Sequence, residues 1–481
     1  MKIILQITVC AFFTVIILTS CNKYLNTDLP AGYLVSENAF VSDNSAGSVV
    51  TGIFISTESS GGLVTGGTGQ NLGYITSLYT DETKSLLTGN FADIFYKDII
   101  TSSNVNQWTN LYNKIYLINA AIEGINNSSA VLNYKDQWLG ECYFLRAYFY
   151  FYLTNLYGDV PLATTSDYKI NNTLSRSPQT KVYVQILSDL RQAQNLLSTD
   201  YKDANGATTT ARIRPNKYAA MGMAAKAYLY AEKWDSAEIM ADSVINNTNY
   251  QLDNLSNIFT PQSKETLWGM ALISTASISS YEYGYYNNGI PASLVPPDVP
   301  SKYVLSTLSD NVMRSFDTGD LRLTNWVRTT VIEASGSTPA VYYYFPNKYT
   351  NATPSSVNEI LLRLAEIYLI RAEARAHENN IEGCIYDVNV IRARAGLPNT
   401  TATTQASLLA EIAKQRQAEL FTENGNRFFD LKRTGGIDSV MSVVAPTKPT
   451  TWESYMQLWP IPPADIIQDP AIIQNPGYGD N

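Results

Sequence analysis

The chain has little histidine, little cysteine and fewer basic than acidic residues, and each shortage excludes a class of protein. Its 481 residues include one histidine, His377, and four cysteines. A single histidine excludes a multi-histidine metal site and nearly excludes histidine acid–base catalysis. The 34 basic residues against 43 acidic ones give a formal net charge of −9, which argues against nucleic acid as a partner. Nothing in the sequence predicts a cofactor.

Long apolar runs are also scarce, and the one present stands at the amino terminus. It covers residues 3–18, follows Lys2 and ends in the sequence LTSC at Cys21. A short apolar run that closes on small residues is typical of an export signal, although an uncleaved anchor helix of ~17–25 residues is an alternative. The LTSC ending resembles a bacterial lipobox. That resemblance implies removal of a signal peptide at residues 1–20 and acylation of Cys21.

Two further cysteines, Cys142 and Cys384, fall inside stretches with helical periodicity. So few cysteines exclude a small fold held by disulfides. Unpaired cysteines in a core behave as small apolar residues, so we expect two free buried thiols rather than a bridge.

Five stretches carry apolar residues three or four apart, which predicts helices that bury one face. The stretch 137–157 is aromatic on nearly every side, so we expect this helix in the interior of the protein. We expect it to end at Gly158, with Pro161 beyond. The predicted helical stretches are 108–125, 137–157, 179–197, 215–247 and 360–397.

The last two stretches have the pattern of tetratricopeptide-like helix pairs. In the first pair, Tyr228 and Ala237 are nine residues apart and stand where tetratricopeptide repeats have an aromatic and a small residue. In the second pair, Cys384 stands at the position of the small residue. Pro215 is expected in the first helical turn of its pair. Stacked pairs cover each other's apolar faces, so we predict a mostly α fold with these pairs as its scaffold.

Three other stretches lack this periodicity. Residues 22–50 are polar and predict an extended segment, and the glycine-rich residues 56–73 predict a loop. Residues 250–357 contain several prolines, among them Pro291, Pro296, Pro297, Pro300 and Pro339, and the run ISSYEYGYYNNG. Irregular segments of that length are usually functional or disordered, and the aromatic content argues against disorder.

Read together, several stretches resemble the SusD/RagB family of Bacteroidetes outer-membrane lipoproteins. The matches are FLRAYFYFYLTNLYGDVPL at 144–162, the helix pairs at 217–245 and 360–397, QRQAELFTENGNRFFDLKRTGG at 415–436, and LWPIPPADI with QNPGY within 458–478. The resemblance implies one SusD-like domain over 21–481, with a helical scaffold at about 105–250 and 358–435 and a loop-rich, partly irregular insertion at about 250–357.

The same resemblance implies a lipid-anchored protein at the outer-membrane surface. Such a protein covers a SusC-like TonB-dependent transporter and captures nutrients, usually glycans, without catalysis. Peptides could use the same aromatic pockets, so peptide import is an alternative. A surface glycoside hydrolase is a second alternative, although it needs two acids flanking one cleft, and no such pair stands out in the sequence.

Sugar binding requires flat aromatic faces for the C–H side of a pyranose, with amides, carboxylates and guanidinium groups to recognise hydroxyls. The family resemblance points to loops at one end of the protein and to the helix that Trp108 opens. The predicted ligand-binding residues are Trp108, Tyr281, Tyr283, Tyr285, Tyr286, Asn287, Trp326, Arg328, Asn71 and Tyr74.

Several charged residues have structural interpretations. We expect Arg146 to bond buried carbonyls or an acid, because an unpaired buried charge is costly. We predict that the acids Asp81, Glu82 and Asp93 are solvated surface residues rather than a calcium site, and that His377 faces water. A charged cluster near the carboxyl end predicts a paired network joining a helix end to the next loop: Glu419, Glu423, Asp430, Arg416, Arg427 and Arg433.

Overall fold

A computed structural model describes residues 39–58, 71–86, 89, 91–271, 281–287, 293–294, 306–350 and 358–479. Most of its regular structure is helical, so the predicted mostly α fold is confirmed. Cys21 and the predicted signal peptide lie outside these residues. Within the described part of the chain, no helix combines the length and apolar character needed to cross a bilayer.

The described residues of the first half of the chain are mostly helical. The helices are α1 Asp43–Glu58, α2 Leu72–Tyr79, α3 Phe91–Tyr96, α4 Gln107–Asn127, α5 Lys135–Tyr157, α6 Tyr168–Asn171, α7 Gln179–Leu196, α8 Lys217–Tyr230 and α9 Trp234–Ile245. The predictions for α4, α5 and α7 agree to within two residues at each end.

Two local predictions in this half are wrong. Residues 43–50 belong to α1 and are not extended, because Ala46 and Val50 are buried on one face of that helix. Pro215 precedes the first turn of α8 instead of lying in it. The cap is Asn216, whose side chain accepts a hydrogen bond from the Ala219 N–H at 2.9 Å.

The middle of the chain holds short helices and most of the strands. The helices are α10 Tyr281–Tyr286, α11 Asp310–Ser315 and α12 Leu321–Trp326. The strands among the described residues are β1 Thr83–Ser85, β2 Val160–Pro161, β3 Arg176–Ser177, β4 Thr266–Ala271, β5 Ser293–Leu294, β6 Ser306–Leu308, β7 Val327–Ile332, β8 Val341–Pro346 and β9 Asn358–Arg363. They form small sheets: β1–β6, β2–β3 and β4–β9 are antiparallel pairs, and β7 lies between parallel β5 and antiparallel β8.

The carboxyl-terminal third returns to helices. They are α13 Leu364–His377, α14 Ile381–Arg394, α15 Gln405–Leu420, α16 Asn426–Arg433, α17 Ile437–Val444 and α18 Pro463–Gln468. The predicted helix pair at 360–397 is confirmed as α13 and α14, and only its first residues are wrong. Residues 360–363 belong to β9, because they pair with β4, and a turn at Glu378 to Asn380 separates α13 from α14.

The long helices pack in a continuous series. Each of the pairs α4–α5, α5–α7, α7–α8, α8–α9, α9–α13 and α13–α14 is in contact, and α15 packs on α13. The small positions predicted for close approach, Ala237 and Cys384, are fully buried. Cys142 is also buried, and both thiols are free, as predicted. This series is the solenoid-like scaffold expected of stacked helix pairs.

Helix α5 is the centre of the core. Its aromatic residues from Phe144 to Tyr157 are all buried, and the helix ends at Gly158 with a backbone φ of 76°. Arg146 lies on this helix and pairs with Asp189 of α7 at 2.7 Å. It also donates to Asn119 Oδ1 of α4 at 2.9 Å, so the predicted buried partners are confirmed.

A buried ionic network joins β9 to α15 and the loop after it. Arg363 donates to Glu265 at 2.8 Å, to Glu419 at 2.7 Å and to Glu423 at 2.8 Å, and it is almost inaccessible to solvent. Lys348 adds a contact of 2.5 Å to Glu423. Burial alone would raise the pKa of Glu419, but the surrounding arginines outweigh it and lower that pKa. Breaking such a network leaves uncompensated buried charge.

The predicted pairing around α16 is confirmed in a modified form. Arg416 and Arg433 both pair with Asp430, at 2.6 Å and 2.8 Å, and Arg433 also reaches Glu373 on α13. Glu419 and Glu423 instead pair with the Arg363 network. The partners come from several elements, so the network joins distant parts of the chain as well as one helix end to its loop.

The surface assignment of Asp81, Glu82 and Asp93 is wrong, because all three are buried. Asp81 pairs with Arg427 at 2.7 Å, and Asp93 pairs with Lys97 at 2.7 Å. Burial and the neighbouring Asp81 raise the pKa of Glu82 to about 8. No group of three or more histidine, cysteine or acidic side chains in the described ranges is placed to hold a metal ion.

His377 does not simply face water. Its ring stacks on Trp234 with 3.9 Å between centroids, which joins the start of α9 to the end of α13.

Candidate functional site

A groove of about 280 Å³ runs beside α4, and we call it the α4 groove. Its walls come from α4, from the chain between β2 and β3, and from α18 with the residues that follow it. The lining residues are Trp108, Tyr112, Asn113, Ile115, Tyr116, Asn119, Pro161, Ala163, Tyr168, Asn171, Asn172, Leu174, Asp465, Gln468, Asp469 and Ile472.

Three aromatic residues of α4 face this groove because they are four residues apart. Trp108, Tyr112 and Tyr116 follow one face of the helix, and each step of four residues advances about 6 Å along the axis. The Trp108 N–H donates to the Tyr157 hydroxyl at 2.9 Å, and the two rings meet edge to face at 5.0 Å. Trp108 is 1% exposed, so it forms the base of the groove rather than an open face.

The open aromatic faces belong to Tyr116 and Tyr168. Tyr116 is 51% exposed and Tyr168 is 65% exposed. Tyr168 is placed by the start of α6, where the Asp167 carboxylate accepts from the Lys169 N–H at 2.9 Å. Two flat rings are therefore presented to solvent at a shared depression.

Amides hold the floor of the groove. Asn119 donates to the carbonyls of Ala163 and Thr165 at 3.0 and 3.1 Å, and its oxygen accepts from Arg146. Asn171 donates to the Thr165 carbonyl at 2.8 Å, and its Oδ1 has no hydrogen-bond partner among the described residues. The scaffold therefore fixes the floor, and the unpartnered Asn171 oxygen is itself buried.

Acidic side chains form the wall contributed by α18 and the residues after it. Asp465 accepts hydrogen bonds from the side chains of Trp108 and Thr109, and burial raises its pKa. Asp469 is buried beside it and accepts from the Ala471 N–H at 3.0 Å. Both carboxylates lie on the same wall, and no described lining residue places a third acid across from them. That arrangement differs from the flanking pair needed for glycoside hydrolysis.

A second cavity of about 640 Å³ lies between α8, α13, α15 and α16. Its polar wall is made largely of ion pairs, Asp430 with Arg416 and Arg433, and Arg433 with Glu373, and the two terminal nitrogens of Arg416 have no hydrogen-bond partner among the described residues. Ligand groups would have to compete with these pairs. The α4 groove is therefore the better candidate in the described part of the chain.

The structure brings four of the predicted ligand residues together in a buried cluster away from the α4 groove. Tyr74 and Tyr285 stack with 4.2 Å between ring centroids, and Tyr286 bonds Ser77 at 3.3 Å. Asn71 caps α2 by accepting from the Tyr74 N–H at 3.0 Å. These side chains pack between α2 and α10, and they present little or no surface to solvent in this conformation.

The remaining predicted residues are spread over the middle of the chain. Asn287 donates to the Pro346 carbonyl at 2.7 Å, and Trp326 donates to the Leu255 carbonyl at 2.9 Å; both side chains are buried. Tyr283 packs on the core cluster that contains Trp326, and Arg328 lies half-buried on β7. The Tyr281 side chain lies outside the described residues. Their contact with a ligand stays a prediction.

Among the predicted ligand residues whose side chains the structure describes, only Trp108 lines the α4 groove. Sequence reasoning missed Tyr112 and Tyr116, although their four-residue spacing from Trp108 indicates a shared helix face. Tyr168 and Asp465 carry no such signal, because they lie far away in sequence and meet α4 only through the tertiary fold.

The stacked helices, with an aromatic groove on their surface, place the protein in the class of helical, solenoid-like proteins. Within that class, a family model described as "SusD family" matches residues 194–478, more than half of the chain. A second model, described as "Starch-binding associating with outer membrane", matches residues 64–229. The chain belongs to the SusD family, and the predicted resemblance is confirmed.

Individual relatives agree with this assignment. SusD-like protein P38 of Formosa agariphila is 26% identical over 430 residues, which cover 79% of this chain and 80% of the relative. A SusD superfamily structure from Bacteroides vulgatus matches with a TM-score of 0.74 at 19% identity, over 91% of this chain and 99% of that one. A structure described as a laminarin-binding SusD-like protein matches with a TM-score of 0.73 at 22% identity, over 91% of this chain and all of that one. The structural matches show the fold.

Proposed function

We propose that this protein is a non-catalytic, cell-surface lipoprotein that captures an oligosaccharide or polysaccharide and delivers it to a SusC-like TonB-dependent transporter. Membership of the SusD family is the observation that carries the proposal. The fold neighbour described as laminarin-binding and the starch-binding family model support glycans as the ligand class.

The α4 groove supports the same ligand class through its chemistry. Tyr116 and Tyr168 offer flat apolar faces, and the partly buried Asp465 carboxylate offers an acceptor for hydroxyl donors. A pyranose has both surfaces, since its C–H side is apolar and its rim carries hydroxyls. The second part of the ligand site is proposed near Tyr281 and Tyr283, next to stretches outside the described residues.

Attachment to the outer membrane is proposed to depend on Cys21. The LTSC sequence at the end of the apolar run supports acylation of this cysteine. One acyl chain gives marginal, reversible membrane binding, so stable attachment requires the multiple acylation that bacterial lipoproteins carry. Metabolic labelling with an alkyne fatty acid should mark the full-length chain, and Cys21→Ser should abolish the label. Unlabelled full-length protein in the cytosolic fraction would contradict the assignment.

The partner is proposed to be the transporter. A SusC-like barrel expressed with this lipoprotein should co-purify with it from mild detergent. Isolation of the lipoprotein always as a free monomer under those conditions would argue against the delivery role while leaving glycan binding intact.

The central experiment is a binding screen with the chain that begins after Cys21. Isothermal titration calorimetry against neutral and charged glycans should give saturable heats with at least one of them, and reducing-end assays should detect no cleavage. Binding to peptides and to no glycan would replace glycan capture by peptide capture. Sustained release of reducing ends, abolished by Asp465→Asn, would overturn the non-catalytic assignment.

A further inference from the structure

The charged side chains that line the α4 groove, among the described residues, are all acidic. None of the groove's described lining residues is lysine or arginine, whereas Asp465 and Asp469 both contribute carboxylates. The groove also presents the exposed rings of Tyr116 and Tyr168, which independently indicate a ligand with a flat apolar face.

Arg146, Arg176 and Lys169 lie in or next to segments that form the groove, but none of them lines it. Arg146 lies beneath the floor and is paired with Asp189. Arg176 donates to the backbone carbonyls of Asp159, Tyr157 and Ile473. Lys169 follows Tyr168 on exposed α6 but does not line the groove. An anionic ligand in the groove would therefore meet two carboxylates without a compensating cation from the described walls.

We infer that the α4 groove selects neutral glycans and discriminates against glycans that carry carboxylate or sulfate groups. This inference rests on the proposed function, because it assumes that the groove binds sugar. The hydroxyl groups of a neutral sugar can donate to the carboxylates of Asp465 and Asp469. A sulfate or carboxylate group on a sugar can only accept hydrogen bonds, and its negative charge is repelled by these aspartates. Partial burial of both carboxylates limits the screening of that repulsion by salt.

The test compares polymers that share a backbone and differ only in charge. Suitable pairs are laminarin with chemically sulfated laminarin, and hydroxyethyl cellulose with carboxymethyl cellulose. For the pair whose neutral member binds, we expect the charged member to bind at least tenfold more weakly at low salt, and added salt should narrow the difference. Asp469→Asn should also reduce the difference in affinity between the neutral and the charged polymer, because the amide keeps an acceptor oxygen and removes the negative charge.

A charged polymer that binds as tightly as its neutral partner at low salt would overturn the inference and leave the proposed function standing. An unchanged preference in both Asp469→Asn and Asp465→Asn would also overturn it, since the discrimination would then come from elsewhere. If neither member of any pair binds, the proposed function fails, and the inference fails with it. Thermal unfolding of each variant checks that the groove is still folded.

Discussion

Replacing Tyr168 with alanine should weaken glycan binding several-fold without destabilising the protein. Tyr168 is 65% exposed at the start of α6, so its ring is available to a ligand and contributes little to the core. Burying a whole aromatic side chain removes about 200 Å² from water, and one ring face is about a quarter of that. At about 25 cal/mol per Å², a face of about 50 Å² contributes about 1.2 kcal/mol. That corresponds to roughly an eightfold increase in Kd.

The matched control is Tyr386→Ala. Tyr386 lies on α14, is 62% exposed and does not line the groove. Calorimetric titration should give an unchanged Kd for this variant, and both variants should unfold within about 0.5 kcal/mol of the parent chain. Tyr116→Ala, on the opposite wall of the groove, should weaken binding by a similar factor. The double variant with Tyr168→Ala should approach the product of the two factors if the rings contact separate sugar units.

A Kd that stays within twofold in both Tyr168→Ala and Tyr116→Ala would refute the assignment of the α4 groove as the sugar site. Binding would then be placed near Tyr281 and Tyr283. The result would leave the family assignment intact.

Three further predictions concern the core. Arg363→Met should lower the free energy of unfolding in urea by about 3–5 kcal/mol, because it leaves buried carboxylates without their partner. The control Arg191→Met, at an exposed residue of α7, should change that free energy by less than about 0.5 kcal/mol. An equally small loss for Arg363→Met would contradict a stabilising role of the buried ionic network. Glu82 has a folded pKa of about 8 against an ordinary value of 4.5, so the folded state keeps a proton that the unfolded state releases, and stability falls as pH rises between those values. The free energy of unfolding of Glu82→Gln should therefore rise relative to that of the parent chain as pH increases from 5 to 9, by at most about 1.4 kcal/mol per pH unit. If the two free energies depend on pH in the same way, the raised pKa of Glu82 is refuted. Burial raises the pKa of the Cys142 and Cys384 thiols, which makes both of them unreactive in the folded protein. In the chain that begins after Cys21, a thiol reagent should therefore label neither cysteine before unfolding and both cysteines after it. Fast labelling of the folded chain would contradict the burial of these thiols.

The sequence determined the helical scaffold because helix periodicity is a local property. Apolar spacing located α4, α5 and α7 closely, and the Gly158–Pro161 pair located the end of α5. The nine-residue interval from Tyr228 to Ala237 identified a helix pair, since a small residue is needed wherever two helices approach closely. The family motifs are likewise local runs of residues.

Only the tertiary structure decided which polar and aromatic side chains are buried. Asp81 and Glu82 look like surface residues in sequence, yet the approach of Arg427 and the Thr422 backbone from the far end of the chain encloses them. Tyr74 and Tyr285 have the composition of a binding surface, yet they stack on each other inside the protein.

The α4 groove combines both kinds of information. The positions of Trp108, Tyr112 and Tyr116 on one helix face follow from the sequence, because four residues make about one helical turn. The walls supplied by Tyr168 and Asp465 come from segments about 50 and 350 residues further along the chain. No local rule brings these segments to α4, since their placement depends on how the whole scaffold packs.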